Sequence, residues 1–171
     1  MTRPLIEKFY FFLYTVLLFV VLAGMGVYFV LSKDLPQLPA NLENINLSLP
    51  TEIYSSDGER IKVLGERLPV SIGDISPNFL NAIVAVEDAN FFKHQGLDHV
   101  GLLRAFLANI RARRVTQGGS TITQQLSKNL FFSFERNFVR KIKELLIALQ
   151  LEATFTKEMI LEAYCNQIYF G

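Results

Sequence analysis

The sequence predicts a mainly α protein: one membrane-spanning helix, a short β-hairpin region, then a series of helices. Three observations carry this. Residues 9–31, "FYFFLYTVLLFVVLAGMGVYFVL", hold no charge; as a helix they would cover roughly 34 Å, more than the about 30 Å of a bilayer core. "TEIYSSDGERIKVLGE" offers two β-type runs either side of Asp57-Gly58, a hairpin signal. From Ser76 onward apolar residues recur at helical spacing, with cap residues between the runs.

The apolar run accounts for much of the 50% hydrophobic content of the 171 residues. Arg3 and Lys8 precede it, which places residues 1–8 as a cytoplasmic tail and everything after Leu31 outside. The run continues past Ala23-Gly24, so residues 9–31 read as an uncleaved signal-anchor, not a cleaved signal peptide. Residues 32–50 have three prolines and no sustained period, as expected of a linker, and residues 51–171 form the external domain. Net charge is +1, so nothing global points to nucleic acid. The cluster Arg111–Arg114 fits a helix C-terminus, where cations suit the dipole. One cysteine, Cys165, and two histidines exclude an internal disulfide and make a dedicated metal cage implausible.

The helices can be placed in order. The first has Ser76 as N-cap, Pro77 at the first helical position, and Phe79, Ile83 and Val86 at helical spacing. The second follows Asp98, with Val100, Leu103, Phe106 or Leu107, and Ile110 as its apolar stripe. A third follows a Ser120 cap. The fourth runs from about Glu135 to Ala153 with Phe138, Ile142, Leu145, Leu146 and Leu149 on one face, and the fifth starts near Thr156 with Ile160, Leu161 and Tyr164.

Glu87 follows Phe79 and Ile83 by eight and four positions, which puts a carboxylate on a core-facing stripe. Burial there would raise its pKa toward neutrality and make it a general base. Pairing with a buried cation is the plain alternative. In "GGSTITQQLSKNLFF", Gly118-Gly119 permit close backbone approach. Thr121, Gln124, Gln125 and Lys128 form a polar stripe at i, i+3, i+4, i+7, opposite Ile122, Leu126 and Leu130. Such a stripe suits a sugar or a phosphate, or it is an ordinary exposed face. Arg136, Arg140 and Glu144 fall at i, i+4, i+8 beside Lys141 and Lys143, either an ion-pair ladder or a cationic wall for a diphosphate. Lys157 would occupy a first helical turn, an unfavourable place for a cation without a nearby anion.

"EDANFFKHQG", "QGGSTITQQLSKN", "RKIKE" and "KEMILEAYCNQIYFG", in this order, closely resemble four signature blocks of the peptidoglycan glycosyltransferases. These are the transglycosylase domains of class A penicillin-binding proteins and of monofunctional cell-wall glycosyltransferases. The hairpin stretch looks more like the bifunctional members. The resemblance implies a lysozyme-like fold at the outer face of the bacterial cytoplasmic membrane. It implies lipid II and the growing glycan strand as substrates, inverting transfer with release of undecaprenyl diphosphate, and cell-wall synthesis proteins as partners. It matches Glu87 to the catalytic glutamate and Glu144 to a second essential one. Ser120, Thr121, Gln124, Gln125, Lys128, Arg136, Arg140, Lys141 and Lys157 match substrate-binding positions. Asp88, Phe91, His94, Gly96, Gly119, Glu162, Tyr164 and Asn166 match residues that shape the motifs. No cofactor is required by the sequence; a Mg or Mn ion accompanying the lipid diphosphate is a family implication. The family domain extends beyond its fourth block, so this stretch alone is expected to be weak or inactive. A lysozyme-like lytic enzyme and an inactive membrane-tethered scaffold are the competing readings.

Overall fold

The computed structural model describes residues 3–42, 51–64, 69–132 and 137–168. The chain forms two units, Met1–Pro36 and Gln37–Gly171. The first is dominated by helix α1 (Arg3–Ser32). Its stretch Ile6–Ser32 has mean hydropathy 2.3 and is long and apolar enough to cross a membrane. Turn and coil occupy 33–42, while 43–50 of the expected linker lie outside the described residues.

The second unit opens with the predicted hairpin, β1 (Thr51–Tyr54) antiparallel to β2 (Arg60–Leu64). Thr51 faces Leu64 and Tyr54 faces Arg60, with a bulge after Ile53. Gly58 has φ +85 and donates its N–H to Ser55 O, so the turn needs a residue tolerant of the left-handed region. The strands are almost wholly exposed and add little to the core.

Five helices follow: α2 (Pro77–Glu87), α3 (His99–Ala112), α4 (Ile122–Phe131), α5 (Phe138–Thr154) and α6 (Lys157–Gln167). Short 3-10 turns at Ile72–Asp74 and Phe91–Lys93 complete the unit. The caps are chemical. Asp98 accepts from Gly101 N, Asn137 from Arg140 N and Thr156 from Met159 N, each satisfying an orphan amide of a first turn. A Cβ at Gly101 would come 2.3 Å from Asp98 Oδ2, so the cap needs glycine there. α4 starts one residue later than expected: Thr121, not Ser120, is its N-cap. α3 ends with Arg113 in the left-handed region, its basic cluster at the C-terminus as expected.

The core sits where α4, α5 and α6 meet. Ile122, Leu126, Ile147, Ala148, Leu151, Ile160, Leu161 and Tyr164 are buried there. The α6 stripe is the one expected. The α5 stripe is not: its buried face is Glu144, Ile147, Ala148 and Leu151, while Phe138 is 82% exposed and Leu149 is exposed too. A hydropathy pattern passes over a face that contains a glutamate, and here that face is the inner one. α3 also departs from expectation. Its buried residues are the small Gly101 and Ala105, whereas Val100, Leu103, Phe106, Leu107 and Ile110 are exposed. Small residues let neighbouring backbone come close; the loop glycine Gly119 packs against Leu102 and Ala105.

Candidate active site

The site is assembled on the end of α2. Glu87 is the last residue of that helix and Asp88 its C-cap. The two adjacent carboxylates take opposite directions. Asp88 turns inward, and both its oxygens lie 3.0 Å from His94 Nε2. Its Oδ2 also accepts from Ile122 N at 3.1 Å. A carboxylate thus sits on the first turn of α4, where the helix dipole favours it. The 3-10 turn that returns His94 to Asp88 also buries Phe91 completely.

Glu87 does not occupy the buried position its spacing suggests; it is exposed. Of its stripe only Ile83 is buried, Phe79 is 41% exposed, and the helix ends at Glu87 itself. The side chain therefore emerges at a rim, and desolvation is not what the fold offers it. Its Oε2 accepts from Gln125 Nε2 at 2.8 Å, and Gln125 Oε1 accepts from Tyr164 Oη at 3.3 Å. Burial, then the Glu87 charge and Cys165, push the Tyr164 phenol up to about 12. Tyr164 thus stays a donor and holds Gln125 with its amide toward Glu87.

The polar stripe of α4 divides. Thr121 and Gln124 are buried, Gln125 is at the rim and Lys128 is exposed. This corrects the reading of a continuous binding face, because α4 packs on both α5 and α6 and its inward side reaches these residues. Thr121 works as a structural pin: its hydroxyl donates to Gly96 O at 2.8 Å and accepts from Gln124 N. Gly96 has φ +83, and a Cβ there would meet Ala148 O at 3.2 Å. The close backbone approach expected at Gly118-Gly119 is more demanding at Gly96. Gly118 has open space, and Gly119 meets only the end of a leucine side chain closely.

On α5, Glu144 is 1% exposed. One oxygen pairs with the Arg140 guanidinium and the other lies 3.1 Å from Lys141 Nζ. Lys141 Nζ also donates to Ser120 Oγ at 2.9 Å, which ties the loop before α4 to α5. Both Glu144 oxygens are occupied by cations, a donor set that does not fit a metal ion bound at Glu144. Arg140 Nε is buried without a hydrogen-bond partner among the described residues. Arg136 lies outside the described residues.

Lys157 is not a cleft cation. Its Nζ is 2.7 Å from Glu152 and stands 4.3 Å over the Phe91 ring. The anion its helical position required is Glu152, which also accepts from Thr123 Oγ1. Glu162 Oε2 accepts from Ile72 N, and Asn166 exchanges hydrogen bonds with Val70 N and O, so α6 clamps residues 70–72.

Two contributors escaped sequence reasoning. Glu152 was legible only as an acid five residues before an oddly placed lysine. Asn109, an amide within the apolar α3, accepts at Oδ1 from Thr116 N and Gln117 N and donates from Nδ2 to Gln117 O. It thereby fastens the loop that leads to Gly118-Gly119-Ser120.

Comparison with known proteins places this arrangement. The model of the transglycosylase family matches residues 57–171. Penicillin-binding protein 1A of Escherichia coli K12 is 44% identical over 156 residues, covering 88% of this chain and 18% of the relative. The Pseudomonas aeruginosa PAO1 protein of that name is 44% identical over 154 residues, 89% of this chain and 19% of the relative. That of Aquifex aeolicus VF5 is 46% identical over 151 residues, 86% and 21% respectively. The chain spans about a fifth of the length of these curated relatives.

Proposed function

We propose, from the premise that this chain belongs to the transglycosylase family, that the protein polymerises lipid II into β-1,4 glycan strands for the bacterial cell wall. The carrying observation is the contrast between an open Glu87 carboxylate, hydrogen-bonded to a neutral amide, and the cations of α4 and α5. In this reading Glu87 accepts the proton of the acceptor 4-hydroxyl. The acceptor oxygen then bonds to the anomeric carbon of the lipid-linked chain with inversion. The carbon–oxygen bond to the diphosphate breaks, and undecaprenyl diphosphate leaves with the electron pair. Lys128, Arg140 and Lys141 offset the charge that develops on it. Glu144 is a positioning residue that holds Arg140 and Lys141.

A lytic glycosidase would need two carboxylates flanking the scissile bond. Near Glu87 the adjacent Asp88 is turned inward onto His94 and Ile122 N, and Glu144 is saturated by cations. These engagements favour synthesis over lysis. The exposed apolar side chains of α3 support work at a lipid surface, and α1 supports a membrane anchor with a cytoplasmic N-terminus and the domain outside. The test is full-length protein incubated with labelled lipid II or with preformed glycan. Polymer from the first substrate, abolished in Glu87→Gln, supports the reading; cleavage of the second without polymer overturns it.

A further inference from the structure

We propose that Asn109 is a positioning residue for the transfer: from α3 it sets the backbone that walls the cavity of Glu87. This rests on the function proposed above. Glu87 borders a small cavity lined also by Gly118, Gly119, Ser120 and Thr121, the run that leads into α4. The acceptor hydroxyl must come to Glu87, so in that function this wall lies beside the acceptor sugar. The chain that delivers the wall has little packing to hold it. Residues 113–118 are exposed, and 115–120 belong to no helix or strand.

Asn109 supplies what packing does not. Its Oδ1 accepts from Thr116 N at 2.7 Å, Gln117 N at 3.0 Å and Thr116 Oγ1 at 3.1 Å. Its Nδ2 donates to Gln117 O at 3.0 Å. One amide group, with an acceptor and a donor side by side, thus engages both backbone polar groups of Gln117. Downstream, successive residues are seated on other elements. Gly119 packs against Leu102 and Ala105, Ser120 accepts from Lys141, and Thr121 donates to Gly96 O. Gly118, with open space around it, joins the stretch tied by Asn109 to the seated one. Where residues 116 and 117 sit therefore decides how Gly118 and Gly119 enter the cavity wall. A shift of about 1 Å in a group that positions substrate can cost on the order of 10²-fold in rate.

The experiment uses full-length protein and labelled lipid II, with Asn109→Ala and Asn109→Asp. In Asn109→Ala, kcat/KM should fall roughly ten- to hundred-fold with a raised KM, because a displaced wall holds the acceptor less well. Hydrogen exchange at the Thr116 and Gln117 amides should quicken roughly tenfold, since both lose their acceptor. The thermal midpoint should stay near the wild-type value, because the stretch released is exposed. Asn109→Asp keeps an oxygen for both amides and loses only the donation to Gln117 O, so it should recover part of the rate. Wild-type kcat/KM in Asn109→Ala overturns the proposal. So does a fall in kcat at unchanged KM that tracks a lowered thermal midpoint, which is loss of folded enzyme. Unchanged exchange at residues 116 and 117, or an Asn109→Asp no better than Asn109→Ala, overturns it too. Wild-type protein that makes no polymer overturns the proposed function as well, whereas active wild type with an indifferent Asn109→Ala overturns Asn109 alone.

Discussion

Glu87 and Glu144 carry the same functional group and are held in opposite ways. Glu87 stands at the exposed end of α2 with a neutral amide as its partner. Glu144 is enclosed on α5 between a guanidinium and an ammonium. A carboxylate that must take a proton from an incoming hydroxyl has to be reachable and free of cations competing for its lone pairs. A carboxylate that must hold cations for another group is best buried, where its charge keeps them in place and they in turn make its burial tolerable. The same chemical group becomes a base in one place and a bracket in the other, through exposure and partner charge.

Four substitutions would break or sharpen this contrast. Glu87→Gln in the full-length protein should lower glycan polymerisation by about 10²–10⁴-fold, the usual contribution of a positioned base. Its unfolding free energy should move by no more than about 0.5 kcal/mol, since the site is exposed. Comparable losses of activity and stability would erase the distinction. Glu144→Ala should instead cost about 3–5 kcal/mol in denaturant unfolding, because partly buried Arg140 loses its counter-charge; a change under about 1 kcal/mol would show that Glu144 is no bracket. Gln125→Leu should reduce the polymerisation rate about tenfold while sparing the fold, through the hydrogen bond that aims Glu87.

The smallest effect belongs to Asp98, a carboxylate with only local work. The Gly101 N–H above all, with Asn90 and His94 helping against some desolvation, holds its carboxyl below the ordinary range. A depressed folded-state pKa means stabilisation present above the unfolded value of about 4 and lost as pH falls through the folded value. Asp98→Ala should therefore cost about 1 kcal/mol at neutral pH. The gap to wild type should begin to narrow below about pH 4 and vanish once the pH has fallen past the depressed folded-state value in parallel urea titrations; a gap that does not narrow with falling pH would assign the cost to packing.

Much of the site was legible because its signals are local. Thr156 before Lys157, Asp98 before His99, and Pro77 after Ser76 announce helix starts that depend on adjacent backbone alone. Asp57-Gly58 marks a turn for the same reason. Which face of a helix turns inward is a different kind of question. On α5 the answer included Glu144, and on α3 it rested on Gly101 and Ala105 instead of the larger side chains around them. Periodicity ranks residues by apolarity, so a face that is buried because its charge is paired, or because its residues are small, escapes it.

The amino-acid order alone determined the apolar anchor segment, the hairpin, the succession of helices and the set of polar residues from which a site could be made. Those depend on composition and on neighbours within a turn or two. Only the tertiary structure decided that Glu87 would stand open and Asp88 turn inward. It also sent Lys157 to Glu152, and it closed Glu144 between Arg140 and Lys141. The contacts of Glu87 with Gln125 and of Asp88 with Ile122 N join segments 38 and 34 residues apart, which no short window contains. The partners of Glu144 and Lys157, by contrast, are near in sequence, and only the packing of the helices decided that these pairs would be buried.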